Sequence, residues 1–267
     1  IEYRRGNGNF AMFRAEICER KLIEFDELAS QVADADVIII IGGISAQMEG
    51  EGGDKATIEL PSVQQRLVRA MNATGKPVLF VNCSGSAIAF GCLEDQYDAL
   101  IQAWYPGQGG SEALADVIFG DYNPAGRLPV TFYASDADLP HFNDYNMEGH
   151  TYRYFKGQPL FPFGHGLSYT TFEYGDAQVA DGVITIPVTN AGAMDGDEVV
   201  QVYVKAVADA DGPIRSLRGF ERVNIKAGET MSVDIPFKAD LFNPSTGKME
   251  QAAGEYIIYY GGTSDEA

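Results

Sequence analysis

The chain has 267 residues and 28.9 kDa, with 19 Lys and Arg against 38 Asp and Glu, a formal net charge of −19. The acidic surplus runs through the whole length with no basic run, so the chain's own field repels a phosphate backbone and nucleic-acid binding is excluded as a role. A hydrophobic content of 45% with 11% aromatics excludes disorder, and the length allows one large domain or two ordinary ones.

In chain order, Leu22, Phe25, Leu28, Ala29 and Val32 fall at helical spacing. Val37–Ile41, the longest apolar run and far too short to span a bilayer, predicts a strand buried on both faces. Val63, Leu67, Val68 and Met71 form the stripe of a second helix, Pro77–Val81 a second buried strand and Ala99–Ala103 a third. Ser111 is a candidate N-cap for a helix carrying Leu114, Val117 and Ile118. Strands alternating with helices imply an open, parallel α/β sheet, in which ligands bind in loops beyond the carboxyl ends of the strands. Ala134–Ser168, rich in aromatics, Gly and Pro, reads as an ordered connector. After Tyr169 the texture changes to short strands (Val183–Val188, Val199–Val204, Thr230–Phe237, Tyr256–Tyr260) separated by turns such as Asp181-Gly182, the pattern of a β-sandwich. The division is therefore an α/β sandwich domain with its connector over 1–170 and an all-β sandwich over 171–267.

The loop after the first buried strand, Gly42 to Lys55, carries five glycines and three carboxylates, Glu49, Glu51 and Asp54. Such a cluster can be a general acid/base, a hard-cation site or solvated charge, and its place after a buried strand favours function. The carboxylates lack the regular ligand spacing of an EF-hand, and His141, His150 and His165 stand too far apart for metal ligands, so no metal site is expected. Neither a dinucleotide Gly-x-Gly-x-x-Gly, a Walker-type loop nor a Gly-x-Ser-x-Gly elbow is present. Cys18, Cys83 and Cys92 are too few and scattered for a disulfide framework, and Cys83 reads as a structural thiol rather than a nucleophile.

These stretches carry a resemblance. Asp36–Ser45 leading to Met48-Glu49-Gly50-Glu51 and Gly53-Asp54-Lys55, then Val81–Ile88, Gln102–Gln108, Asp116–Phe132, Tyr152–Phe155 and above all Pro162-Phe163-Gly164-His165-Gly166-Leu167-Ser168-Tyr169, resemble the C-terminal α/β domain of glycoside hydrolase family 3. The tail, with Gly219-Phe220 and Gly228-Glu229, resembles the fibronectin type III-like domain that closes many such enzymes, and the wording around Cys83 and Trp104 is most like bacterial β-xylosidases and β-glucosidases.

The resemblance implies a retaining exo-β-glycosidase working on terminal β-xylosyl or β-glucosyl residues of oligosaccharides, in which two carboxyl groups about 5–5.5 Å apart act as nucleophile and acid/base. It places the nucleophile Asp on an N-terminal (β/α)8 barrel and the acid/base on the loop read above. No Ser-Asp-Trp motif occurs, a barrel needs about 250 residues, and the chain opens on Ile1, so the barrel is expected upstream and this chain alone is expected to be inert. Glu49 is favoured as the acid/base with Glu51 as its rival, and Asp54 is a candidate for shaping the sugar site. A longer insertion between Glu51 and Gly52 is expected in relatives of this wording. An acid active near neutrality needs a raised pKa, which the loop is not expected to have without the barrel and a bound sugar. Trp104 and Tyr105 are read as packing rather than sugar stacking, the aromatics Tyr152–Phe155 and Phe161–Tyr169 as a clamp onto the α/β domain, and His165 as structural. The resemblance implies no cofactor, the barrel as partner, and export to the periplasm or beyond. Homo-oligomerisation is left open. The alternative is a non-catalytic carbohydrate-binding or scaffold module.

Overall fold

A computed structural model describes residues 2–5, 10–14, 25–52, 55–243, 245–251 and 253–265. By packing, the chain divides into two units: residues up to 114 with Phe132–Asp138, and Ala115–Thr131 with Leu139 onward.

The first unit is built on a five-stranded sheet. Strands β1 (Glu2–Arg5) and β2 (Phe10–Arg14) pair antiparallel, and β2 then runs parallel to β3 (Val37–Gly43). Between them lies helix α1 (Phe25–Gln31); Leu22, placed in this helix by its spacing, lies outside the described residues. β3 is the central strand, and its isoleucines Ile38, Ile39 and Ile40 are buried, as flanking on both sides requires. Helix α2 (Ser62–Asn72) follows, starting after Pro61, and its buried stripe is Gln64, Leu67, Val68 and Met71. A glutamine therefore takes an inward position, and its reason is local. Its amide accepts from the Gly43 N–H (2.8 Å) and donates to the Gly43 carbonyl (2.7 Å), fastening the end of β3. β4 (Val78–Cys83) and β5 (Ala99–Gln102) complete the parallel run, and Phe80 of β4, wholly buried, meets Phe90 edge-on at 5.5 Å.

Helix α3 (Gly110–Phe119) begins upstream of its expected cap. Ala113 already donates to the Gly109 carbonyl, so Ser111 sits within the first turn and caps nothing.

In the second unit a short helix, α4 (Thr151–Tyr154), precedes the sandwich strands β6 (Phe172–Tyr174), β7 (Gln178–Ala180), β8 (Val183–Asn190), β9 (Gly196–Ala206), β10 (Ser216–Ile225) and β11 (Thr230–Pro236). A hairpin of β12 (Asp240–Asn243) and β13 (Lys248–Gln251) leads to β14 (Tyr256–Gly261). One sheet runs β10-β9-β14 and the other β11-β8-β6, with β7 also on β8, all antiparallel. Asp181 and Gly182 both have positive φ (51° and 76°), the geometry of a two-residue hairpin turn joining β7 to β8. β8 alternates strictly, turning Ile184, Ile186 and Val188 into a core shared with Val200, Val202, Ile225, Val233 and Ile235.

The connector aromatics pack within the second unit, which includes the end of α3: the Tyr169 hydroxyl donates to the Val117 carbonyl of that helix at 2.6 Å, while the rings before it meet the sandwich. Tyr152 stacks on Phe163 at 4.4 Å, both meet the buried Tyr203, and the Tyr152 hydroxyl accepts from the Leu217 N–H. His165 stacks on Phe161 at 5.2 Å. The glycines of the Pro-Phe-Gly-His-Gly stretch are demanded by close packing. A Cβ on Gly164 (φ +83°) would lie 2.1 Å from the buried Gln201 side chain, and one on Gly166 2.1 Å from the Gly126 carbonyl. Arg127 and Glu198 form an ion pair of 2.7 Å with side chains only 9% and 4% exposed.

Candidate active site

Because β3, β4 and β5 are parallel and neighbours, their carboxyl ends lie side by side, and the three loops that leave them meet. After β3 the chain turns through Ser45–Met48, closed by a bond from the Met48 N–H to the Ser45 carbonyl, and presents Glu49. The loop after β4 brings Gly85 and Ser86, and the one after β5 brings Tyr105. Trp104 takes φ 55°, a conformation costly for a large side chain, and sits edge-on to the buried Phe132 while Tyr105 is turned outward.

These loops converge on one carboxylate. Glu49 Oε1 accepts from the Gly85 N–H (2.5 Å) and from the Tyr105 hydroxyl, and Oε2 accepts from the Ser86 hydroxyl. Ser86 Oγ in turn accepts from Lys55 Nζ at 2.7 Å. Burial works against the Glu49 charge, but the hydrogen bonds from Ser86, Tyr105 and Gly85, with the Lys55 ammonium, outweigh it and hold the carboxyl below the ordinary glutamate range. Burial, and then the bond and charge of Glu49, push the Tyr105 hydroxyl up to about 12. Burial draws Lys55 below the usual lysine range, against the pull of Glu49 and Asp136. These bonds favour the carboxylate, the base form, of Glu49.

Ala46, Glu49, Gly50, Lys55, Gly85, Ser86 and Tyr105 line a cavity of about 390 Å³. Glu51 lies on the exposed turn beyond it, does not line it, and has no partner among the described residues. Asp54 lies outside the described residues. Among the described residues no group of three or more His, Cys, Asp or Glu is placed to hold a metal ion. Cys83 is half-buried at the end of β4 and burial pushes its thiol up, which leaves it a poor nucleophile.

Two features escaped the sequence reading. Lys55, Ser86 and Tyr105 were not assigned to the site, although each lies at or beyond the carboxyl end of a predicted strand. Of the loop's five glycines, two serve the sheet. A Cβ on Gly42 would lie 2.5 Å from the Gln64 side chain, and one on Gly43 (φ +119°) 2.0 Å from the Cys83 carbonyl.

Comparison with known proteins gives the context for this loop cluster. Residues 12–169 match the glycosyl hydrolase family 3 C-terminal domain and residues 198–264 a fibronectin type III-like domain. A xylan 1,4-beta-xylosidase of Xylanibacter ruminicola is 45% identical over 95% of this chain and 32% of its own length. A periplasmic beta-glucosidase of Salmonella typhimurium is 37% identical, over 88% and 34%. The crystal structure of a beta-glucosidase from Kluyveromyces marxianus superposes with a TM-score of 0.82 at 36% identity, over 91% of this chain and 32% of that one. The chain spans about a third of the length of these relatives. With a family match over more than half its residues and the predicted α/β and fibronectin-like folds both present, the chain belongs to glycoside hydrolase family 3 and corresponds to the C-terminal part of its enzymes.

Proposed function

We propose that the intact protein is a retaining exo-β-glycosidase that removes terminal β-xylosyl or β-glucosyl residues from oligosaccharides, and that this chain supplies Glu49 as its general acid/base. The observation that carries the assignment is the convergence of three strand-end loops on Glu49 at the wall of a cavity, with Glu51 outside it. Relatives named as β-xylosidases and β-glucosidases support the reaction class. In the first step Glu49 gives its proton to the glycosidic oxygen while an Asp on the upstream barrel attacks the anomeric carbon, forming a glycosyl-enzyme. In the second step ionised Glu49 takes a proton from water, which displaces the Asp. Asp54 shapes the sugar site from the same loop.

The domain boundary is placed near residue 170. No helix among the described residues is long and apolar enough to cross a membrane, and the Salmonella relative's name supports work in the periplasm or outside the cell.

The test is made on the intact enzyme. Glu49→Ala should lower the rate on substrates with poor leaving groups by about 10²–10⁴-fold, the range of general acid catalysis, while activated aryl glycosides lose much less in the glycosylation step. Glu51→Ala should be mild on both. The reverse pattern moves the acid to Glu51.

A further inference from the structure

Glu49 is surrounded by donors, and most of them cannot become acceptors. The Gly85 N–H only donates. Lys55 has three hydrogens and no lone pair, so Ser86 Oγ must accept from it, and the single Ser86 hydrogen is left for Glu49 Oε2. A protonated carboxyl needs an acceptor for its own O–H; Gly85 offers none, and Ser86 Oγ could accept only by turning its one hydrogen away from Glu49 Oε2, its only acceptor among the described residues.

Tyr105 differs. Its hydroxyl has one hydrogen and two acceptors in reach, Glu49 Oε1 and the Ile44 carbonyl at 3.1 Å. With Glu49 ionised, the charged acceptor holds that hydrogen. With Glu49 protonated, the Tyr105 hydrogen can turn to Ile44, and its oxygen lone pair becomes free to accept from Glu49. Among the described residues, Oε1 is therefore the carboxyl oxygen on which a proton leaves every neighbour satisfied.

We infer that Tyr105 and Ser86 are positioning residues that set the protonation cycle of Glu49, with the Tyr105 hydroxyl passing between Glu49 and the Ile44 carbonyl as Oε1 loses and gains its proton. This rests on the acid/base reading of Glu49. Ser86, fixed by Lys55, stabilises the base form that activates water, and Tyr105, among the described neighbours, accommodates the acid form until substrate binds and the Oε1 proton turns from Tyr105 to the leaving oxygen. Among the described residues, the charged and titratable groups facing this network are Lys55, Cys83 beside Tyr105, and Asp136 beside Lys55. Gly85 belongs to the device too, because a Cβ there would lie 2.9 Å from the Tyr105 ring and 3.0 Å from Glu49 Oε1.

Two measurements separate the inference from the reading beneath it. Carbon-detected NMR titration of the Glu49 carboxyl in this chain should move upward in Ser86→Ala, which removes a donor to the charged form, and by less in Tyr105→Phe, where the charged form loses a donor and the acid form its acceptor. Tyr105 is 46% exposed, so Phe keeps its packing, and Lys55→Gln, which unfixes Ser86 and removes a nearby positive charge, should move the titration the same way. In the intact enzyme, the basic limb of kcat/KM on a poor-leaving-group substrate should shift upward in Ser86→Ala, by up to about one pH unit. In Tyr105→Phe the acid form loses its acceptor as well, so kcat should fall at all pH values below the limb. An unmoved titration in Ser86→Ala, or an upward shift in Tyr105→Phe larger than that in Ser86→Ala, overturns the inference even where Glu49→Gln remains crippling. Full activity of Glu49→Gln on poor leaving groups overturns the acid/base reading, and the catalytic half of the inference falls with it.

Discussion

Glu198→Ala isolates a buried charge. In the native unit Glu198 Oε2 lies 2.7 Å from Arg127 Nη2, and Oε1 accepts from the Tyr174 hydroxyl at 2.9 Å. With side chains 9% and 4% exposed, neither partner can recover its hydration if the other is removed. Truncation leaves a guanidinium in a desolvated site without counter-charge and a tyrosine hydroxyl without its acceptor. Breaking a buried pair in this way costs about 3–5 kcal/mol, a large part of the 5–15 kcal/mol that typically holds a domain together. The exposed pair Lys226–Asp195, 2.8 Å apart but with side chains 59% and 51% exposed, is the internal control. Water screens it, and Lys226→Ala should cost under about 1 kcal/mol. Urea unfolding followed by near-ultraviolet circular dichroism, which reads the Tyr152, Phe163 and Tyr203 cluster of the same unit, gives both numbers by linear extrapolation. Equal costs for the two variants, or a Glu198→Ala cost below about 1 kcal/mol, would refute the argument that burial rather than bond length decides the worth of these pairs.

Gly164→Ala should destabilise the second unit by about 1–3 kcal/mol, because its Cβ would press on a Gln201 already held by the Gly164 and Gly262 carbonyls and by Tyr203, at a φ of +83°; an unchanged urea midpoint counts against it. Phe80→Ala, emptying a wholly buried site against Phe90, should cost about 3–5 kcal/mol in the first unit, read from the Trp104 fluorescence transition. Acid should weaken the second unit through Asp197, whose carboxyl is held below the ordinary aspartate value of 3.8 because the Asn224 bond and the Arg222 pair outweigh its burial. A lowered folded-state pKa gives stability that is full above the unfolded value and lost as pH falls through the folded one. Thermal midpoints should therefore decline below about pH 4, with a shallower slope in Asp197→Asn; identical slopes would remove Asp197 from the cause.

How legible each part was in the sequence follows from where its stabilisation comes from. β3, β4, β8 and β9 are runs of β-branched or aromatic residues whose burial is written in their own composition. β10 was missed because Ser216–Ile225 carries Arg218, Glu221 and Arg222 and buries only its two ends, Ser216 and Ile225. It is a strand because β9 offers it a ladder along its length. β12 and β13 bury little and owe their form to each other. Ser111 failed as a cap because Gly109 behind it supplied the first helical carbonyl, and nothing in a Ser distinguishes a cap from a first-turn residue.

The site shows the same division more sharply. Glu49 could be named a candidate from one segment, since a carboxylate-bearing loop after a doubly buried strand needs only the strand to be recognised, although choosing it over Glu51 and Asp54 took the family resemblance. Its partners could not, because they stand 36, 37 and 56 residues away and belong to it only through register. Gly43 opposite Cys83 and Asn82 opposite Gln102 bring the three strand ends to one level, so that residues two or three steps beyond β4 and β5 meet Glu49, six steps beyond β3. That register depends on the absence of side chains at Gly42 and Gly43, where Gln64 and the Cys83 carbonyl close in. The glycines thus contribute to the site without touching a ligand. They let β3 and β4 finish together, and the donors of the second and third loops then fall on the carboxylate of the first.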